Sequence, residues 1–341
     1  VLAQVAVKPA RHVELDLFKS VLVTGMVSAH VVQLISADLP SWTLIWADYI
    51  NLITFSGFLF AFGLGVGFSS SRGNNGPSLS LLRRALLLLL ATYLSSIAFL
   101  VWVDGRTLRM ALLLDVFTLK RLFGWSEFLA SFAVLYALLA VGRPLFVWLA
   151  SHWWSLAAVL TGSALSTLIV NNDNIPALAT LVGTERFASF PLLPYAGWFF
   201  LGIALGRQGG RLRPWHGLVS IALTGAYFGF LWVTGEGPER FPPAVLWIAG
   251  AALPLIVYLA VLGLIASRKQ VHTWLLLPGR HALSLVLFSN LMIFYVRWAY
   301  QFPVTNTALW FAATLVLVGV PMIAWAMVER AGRRSAVRVA P

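Results

Sequence analysis

Cysteine is absent from the 341 residues, so disulfides, thiolate nucleophiles and cysteine-held metals are excluded and the redox compartment stays open. Charge is scarce too: Asp, Glu, Lys and Arg make up 11% of the chain, against about 25% in an ordinary globular protein. So few charges cannot cover a water-exposed surface, which excludes a soluble enzyme, a disordered chain, a repeat solenoid and a disulfide scaffold. Carboxylates are the scarcer sign, 12 against 24 Lys and Arg, giving a net charge of +12. In a soluble protein that excess would suggest nucleic acid. Here the bases sit in short links between apolar runs, so no nucleic-acid partner is expected. Phosphate loops, zinc-helix motifs, nucleophile elbows and dinucleotide fingerprints are missing from any credible context, and no metal site is expected.

What fills the chain is apolar: 60% of residues are hydrophobic and the mean hydropathy is +0.84. About 20 apolar residues cross a bilayer as a helix. Ten such runs occur, near 17–37, 44–69, 82–103, 125–142, 145–170, 191–206, 215–234, 243–266, 281–301 and 306–328. The first, beginning near Leu17, has no small-residue cleavage signature after it and reads as a retained helix. The links carry turn formers, among them Asn74-Asn75-Gly76-Pro77, Asn171-Asn172-Asp173-Asn174, Gly209-Gly210 and Gly235-Glu236-Gly237-Pro238. The expectation is an all-α, polytopic membrane protein, residues 1–341 forming one integral-membrane unit with about ten transmembrane helices. With both termini cytoplasmic, sixteen Lys and Arg fall on the inner side and seven on the outer, the bias that positive-inside sorting requires. Four of the seven outer bases lie in the Leu-rich link 104–124, read as a helix lying on the interface. The 15 Trp and 23 Phe read mainly as interfacial belt and packing.

An ionisable group inside such a helix is costly and is a functional candidate by default. Among the histidines His30 alone lies deep, in Val27-Ser28-Ala29-His30-Val31-Val32. An imidazole there can act as general base on a hydroxyl or amine; a hydrogen-bonded structural histidine is the bland alternative. Lys19 precedes it by eleven residues, which is three helical turns plus about 20°, so both share a face about 17 Å apart along the axis. Lys19 is thus a candidate contact for a phosphorylated donor, or a snorkelling amine. Asp16, one turn earlier, can pair with it or orient the helix start. Arg83 and Arg84 open the third run and suit phosphate, or act as an anchor. Glu127 starts the fourth run at the level of His30 and is placed to assist it, or simply stays hydrated. In the second run Gly63 and Gly67 give the small-residue spacing of close helix packing.

The order of these residues resembles a known superfamily, the integral-membrane acyltransferases, which includes acyltransferase-3 proteins, glucan succinyltransferases and the heparan-α-glucosaminide N-acetyltransferase group. The opening Arg11-His12-Val13-Glu14-Leu15-Asp16-Leu17-Phe18-Lys19, followed by Gly25-Met26-Val27-Ser28-Ala29-His30, is similar to their first helix. Thr54 to Phe60, Leu82-Arg83-Arg84, Phe190-Pro191-Leu192-Leu193-Pro194-Tyr195, Gly202 to Arg207 and Gly279-Arg280-His281-Ala282-Leu283 resemble later elements in the same order. The resemblance implies an acyl-CoA-dependent O- or N-acyltransferase. It would move an acyl group, acetyl in the first instance, from cytoplasmic acyl-CoA to a glycan or lipid acceptor at the extracytoplasmic face. It also implies His30 as catalytic histidine, Lys19 in the place of an arginine, and Arg83 and Arg84 on the donor phosphates, in a bacterial cytoplasmic membrane among its lipids. Homo-oligomerisation stays open. Three departures stand out: lysine at position 19, Leu86-Leu87-Leu88 where a third arginine often follows, and Ser289-Asn290 where a late histidine is usual. The rival readings are a proton-coupled transporter or lipid or glycan flippase with His30 and Glu127 as relay, and a non-catalytic partner that keeps the fold.

Overall fold

An apolar run without a polar face has no stripe to turn to water, and in lipid its backbone must close its own hydrogen bonds, so it forms a helix. The computed structural model describes residues 12–71, 78–120, 122–125, 127–171, 176–268, 271–301 and 303–338. The helices are α1 (Val13–Ile35), α2 (Ser41–Ser70), α3 (Leu79–Trp102), α4 (Met110–Phe117), α5 (Glu127–Leu149), α6 (Trp153–Ser166) and α7 (Leu192–Arg207). They continue as α8 (Pro214–Thr234), α9 (Val245–Gly250), α10 (Ala252–Arg268), α11 (Thr273–Arg280), α12 (Ala282–Tyr300) and α13 (Thr307–Arg338). Among the described residues there is no strand, only an isolated bridge between Ser36 and Val304. The protein is an all-α, polytopic membrane protein. The turn signals at 74–77 and 172–174, and the bases Lys8, Arg11, Arg72, Arg121 and Lys269, lie outside the described residues.

Among the described residues, eight helices are at least 18 residues long and apolar enough to cross a membrane, counting Val245–Arg268 as one. The two remaining runs of the sequence expectation correspond to the 14-residue α6 and the 16-residue α7. One boundary differs from expectation. The break expected between 142 and 145 is absent: α5 runs through Pro144 to Leu149, and the chain turns at 150–152 instead. Gly142-Arg143-Pro144 reads as a polar link, yet Arg143 is buried and its guanidinium donates to Ser69 Oγ on α2. A proline within a membrane helix is tolerated where neighbours satisfy the freed backbone groups.

Burial grades outward from α1 and α2, whose most apolar windows are 72% and 83% buried, to α13 and α8 at 22% and 11%. The lipid-facing helices are thus late in the chain, and the first two form the core. α2 and α7 approach closely because Gly63 and Gly67 meet Gly202 and Gly206. A Cβ on Gly63 would strike the Phe199 carbonyl, one on Gly202 the Phe60 carbonyl, and one on Gly206 the Leu64 carbonyl. α11 docks the same way on the start of α1: Gly279 sits against the Asp16 carbonyl, and its N–H donates to Ser20 Oγ at 2.8 Å.

The start of α1 and the end of the α13 membrane span share one face of the bundle, since Arg280 bridges Asp16 and Glu329 at 3.4 and 3.9 Å. This is called the near face below. The opposite, far face is marked by Arg297 donating to the Leu34 carbonyl at 2.9 Å. There the link 104–124 forms the eight-residue α4, whose Met110, Leu114 and Phe117 are exposed.

Candidate active site

Two cavities lie in series between these faces. The near cavity, of 560 Å³, is lined by Lys19, Arg84, Arg143, Arg280 and His281 among apolar residues of α1, α2, α5 and α12. Among the described residues its lining holds four cations and no carboxylate. Such a chamber suits a multiply phosphorylated ligand, because guanidinium groups offer paired donors to phosphate oxygens. The carboxylates stand behind the wall. Asp16, only 3% exposed, pairs with Lys19 Nζ at 3.0 Å and with Arg280 Nε at 3.4 Å, holding two of the cations in place. Glu329 does the same for Arg280 and for His281, whose Nε2 lies 3.4 Å from its carboxylate. Arg84 and Tyr136 both line the chamber. Arg83, next to Arg84, is exposed and does not line the cavity, as expected for adjacent residues about 100° apart on a helix.

The far cavity, of 210 Å³, is lined by His30, Met26, Asn51, Thr54, Trp125, Glu127 and Arg240, with five phenylalanines and Ala188. Phe58 lines both cavities and is the wall between them. His30 is 4% exposed, and its Nδ1 lies 2.6 Å from Asn290 Oδ1. The amide nitrogen of Asn290 donates in turn to the Trp125 carbonyl at 3.1 Å. That second bond orients the amide, so its oxygen faces the imidazole and must accept from Nδ1–H. Nδ1 is therefore the protonated nitrogen, and the Nε2 lone pair remains for chemistry.

The Trp125 carbonyl is aimed by unusual backbone. Gly124 and Trp125 both have positive φ, +86° and +56°, a conformation that costs a bulky residue about 1–3 kcal/mol. α3 anchors the segment: Ser95 and Ser96 donate to the carbonyls of Gly124 and Phe123 at 3.1 Å each. Trp125 also sets its ring edge-on to His30, centroids 5.2 Å apart, and gives its N–H to Glu127 Oε1 at 3.2 Å. Glu127 therefore shares the chamber with His30 while its carboxylate is engaged by the loop.

Arg240, from the link after α8, completes the chamber. Its guanidinium lies 4.7 Å from the Phe241 ring centroid, 5.7 Å from Phe190 and 5.9 Å from Trp247. Its Nε is buried and has no hydrogen-bond partner among the described residues. Burial pulls this arginine below its ordinary pKa, opposed by the nearby Tyr195, Glu127 and Asp48.

The structure thus brings Lys19, Asp16 and Arg84 to the near cavity and His30 with Glu127 to the far one, and leaves Arg83 outside both. Asn290, Trp125, Arg240, Arg143 and Arg280 join them without having been singled out as site residues. Asn290 was visible only as the polar residue standing where a histidine is usual. Among the described residues no group of three His, Asp or Glu that could hold a metal occurs.

The family model for the catalytic domain of heparan-α-glucosaminide N-acetyltransferase matches residues 11–214. That is more than half of the chain, and the chain belongs to this family of membrane acyltransferases. No curated protein gives a match to the chain.

Proposed function

We propose that this chain transfers an acyl group, acetyl in the first instance, from acyl-CoA bound at the near face to an acceptor in the far cavity. The acceptor is an amine or hydroxyl of a glycan or lipid; the family's name points to a glucosaminide amine as the first to try. The near face is read as cytoplasmic from the excess of Lys and Arg in its links, in a bacterial cytoplasmic membrane. The observation that carries the reading is the arrangement of two chambers with one shared wall: a cationic one and a smaller one holding an imidazole with a free Nε2.

Lys19, Arg84, Arg143 and Arg280 would take the phosphates of the donor. Its long arm would pass Phe58, bringing the thioester carbonyl beside His30. Nε2 accepts the proton of the acceptor amine or hydroxyl as its nitrogen or oxygen attacks the carbonyl carbon. The carbonyl pair moves to oxygen, then returns as the carbon–sulfur bond breaks. The thiolate takes the proton from the imidazolium and leaves as CoA. Asp16 is a positioning residue here, and Glu127 holds the loop that aims Asn290.

The test uses purified protein in detergent and in proteoliposomes. CoA and acetyl-CoA should raise the melting temperature, as mass action requires of a ligand that binds the folded state. His30→Ala should keep that stabilisation and lose labelled-acetyl transfer to glucosamine-terminated acceptors by at least about 100-fold. Undiminished transfer would remove His30 from the chemistry. No stabilisation by either nucleotide would remove the donor, and would favour a transporter of unrelated solute.

A further inference from the structure

A thioester attacked in a dry chamber develops a full negative charge on its oxygen, and something must meet that charge. In the far cavity the base is already assigned to His30, and the Asn290 amide is spent between His30 and the Trp125 carbonyl. Glu127 is of the wrong sign. Among the donors left, which include the Asn51 amide nitrogen, buried without a partner among the described residues, Arg240 alone carries a charge, and its environment is peculiar for an arginine. It is braced by aromatic rings rather than paired: three ring centroids lie within 5.9 Å of its guanidinium carbon. Among the described residues no ion pair or hydrogen bond engages it. Its nearest carboxylate in the chamber, Glu127, accepts from Trp125 N–H instead. Aromatic bracing fixes the direction of a guanidinium while leaving its N–H donors unsatisfied. Those donors border the same 210 Å³ as the imidazole. A sphere of that size is about 7 Å across, room for one tetrahedral centre between a base and an oxyanion donor, each at hydrogen-bond reach.

We propose that Arg240 binds the oxyanion of the tetrahedral intermediate, its guanidinium donating to the former thioester oxygen while His30 carries the acceptor's proton. No bond to Arg240 is made or broken; it stabilises charge that exists only between attack and expulsion of the thiolate. This rests on the acyl-CoA reading above. It adds a catalytic residue that lies beyond residues 11–214, the part matched by the family model.

The test places a permanent anion where the transient one forms. S-carboxymethyl-CoA carries a carboxylate at the acyl position, and S-carboxamidomethyl-CoA is its neutral isostere. With wild-type protein the carboxylate analogue should compete for the donor site at least ten times more tightly than the amide. In Arg240→Gln that preference should vanish while CoA itself binds as before; Arg240→Lys, which keeps the charge without the fork, should retain part of it. Equal affinities in wild type, or a preference undisturbed in Arg240→Gln, would overturn the assignment while leaving the donor reading intact. Failure of CoA itself to bind would instead overturn the donor reading, and the assignment with it. The wild-type comparison needs no variant, so a poorly folding Arg240→Gln does not shelter the idea.

Discussion

Replacing Asn290 by Leu tests the orientation of the base without touching it. Asn290 is fully buried, 0% exposed, and bonded on both sides, to His30 Nδ1 at 2.6 Å and to the Trp125 carbonyl at 3.1 Å. Leucine has the same number and branching of side-chain heavy atoms, so no hole opens, but an N–H and a carbonyl lose their partner in a dry interior. Each such loss costs about 1–3 kcal/mol, so the fold should weaken by about 2–6 kcal/mol in the least relaxed case. The catalytic cost is the part that belongs to Nδ1–H, because that bond selects the ring orientation and the tautomer with Nε2 free. One to three kcal/mol at about 1.4 kcal/mol per decade gives a kcat lower by about 5- to 150-fold. The near cavity does not touch Asn290, so KM for acetyl-CoA and the stabilisation by CoA should be unchanged. Steady-state acetyl transfer in proteoliposomes, with melting curves on the same preparations, reads both. A leucine variant that turns over at the wild-type rate would refute the reasoning. So would one in which KM moves as far as kcat, since Asn290 would then act on the whole bundle rather than on the imidazole.

Phe58→Ala should merge the two chambers that this ring divides. The ratio of kcat/KM for butyryl-CoA to that for acetyl-CoA is then expected to rise by at least about tenfold, the scale of one or two methylenes in an apolar pocket; an unchanged ratio would show that Phe58 does not limit the acyl group. Gly202→Ala forces a methyl into the Phe60 carbonyl across the α2–α7 contact, and should cost about 1–3 kcal/mol as overpacking. Gly225→Ala, on α8 with nothing within 4 Å of its added carbon, is the matched control and should melt at or slightly above the wild-type temperature.

The parts of this molecule that a lone sequence exposes are those for which lipid raises the stakes. His30 and Lys19 stand out because an ionisable group in an apolar run needs a reason, and helical spacing alone puts them on one face. Gly63 and Gly67 are legible for the same local cause. Arg143 was not: flanked by Gly142 and Pro144 it has the look of a link, and only its contact with Ser69 on α2 reveals a buried cation inside a continuous helix. Arg83 and Arg84 form one motif in sequence, and it takes the neighbouring α5 to show which of the two faces the cavity. Asn290 and Arg240 are the hardest cases. A neutral amide in a membrane run and a base in a link are both unremarkable, and their roles arise from residues 260 and 210 positions away along the chain.

That distance bears on how the site divides. The helix with the base, the separating phenylalanine and two of the near-cavity arginines all fall within residues 11–214. The amide that orients the base and the cation proposed to meet the oxyanion come after it, from α12 and from the link between α8 and α9. α8 and the α9–α10 span have most of their windows facing lipid, at 11% and 33% buried. Substitutions there meet fluid chains rather than packed side chains, and so cost little in folding. The link they carry can therefore reshape the roof of the far cavity while α1, buried and clamped by Gly279, keeps His30 and Lys19 at fixed depths. On the proposed reading, a donor that does not vary would need a rigid cradle, whereas an acceptor entering from the far face would be sorted by the chamber's roof. On this geometry, changes of acceptor should map to residues 235–244 and leave KM for acetyl-CoA where it is.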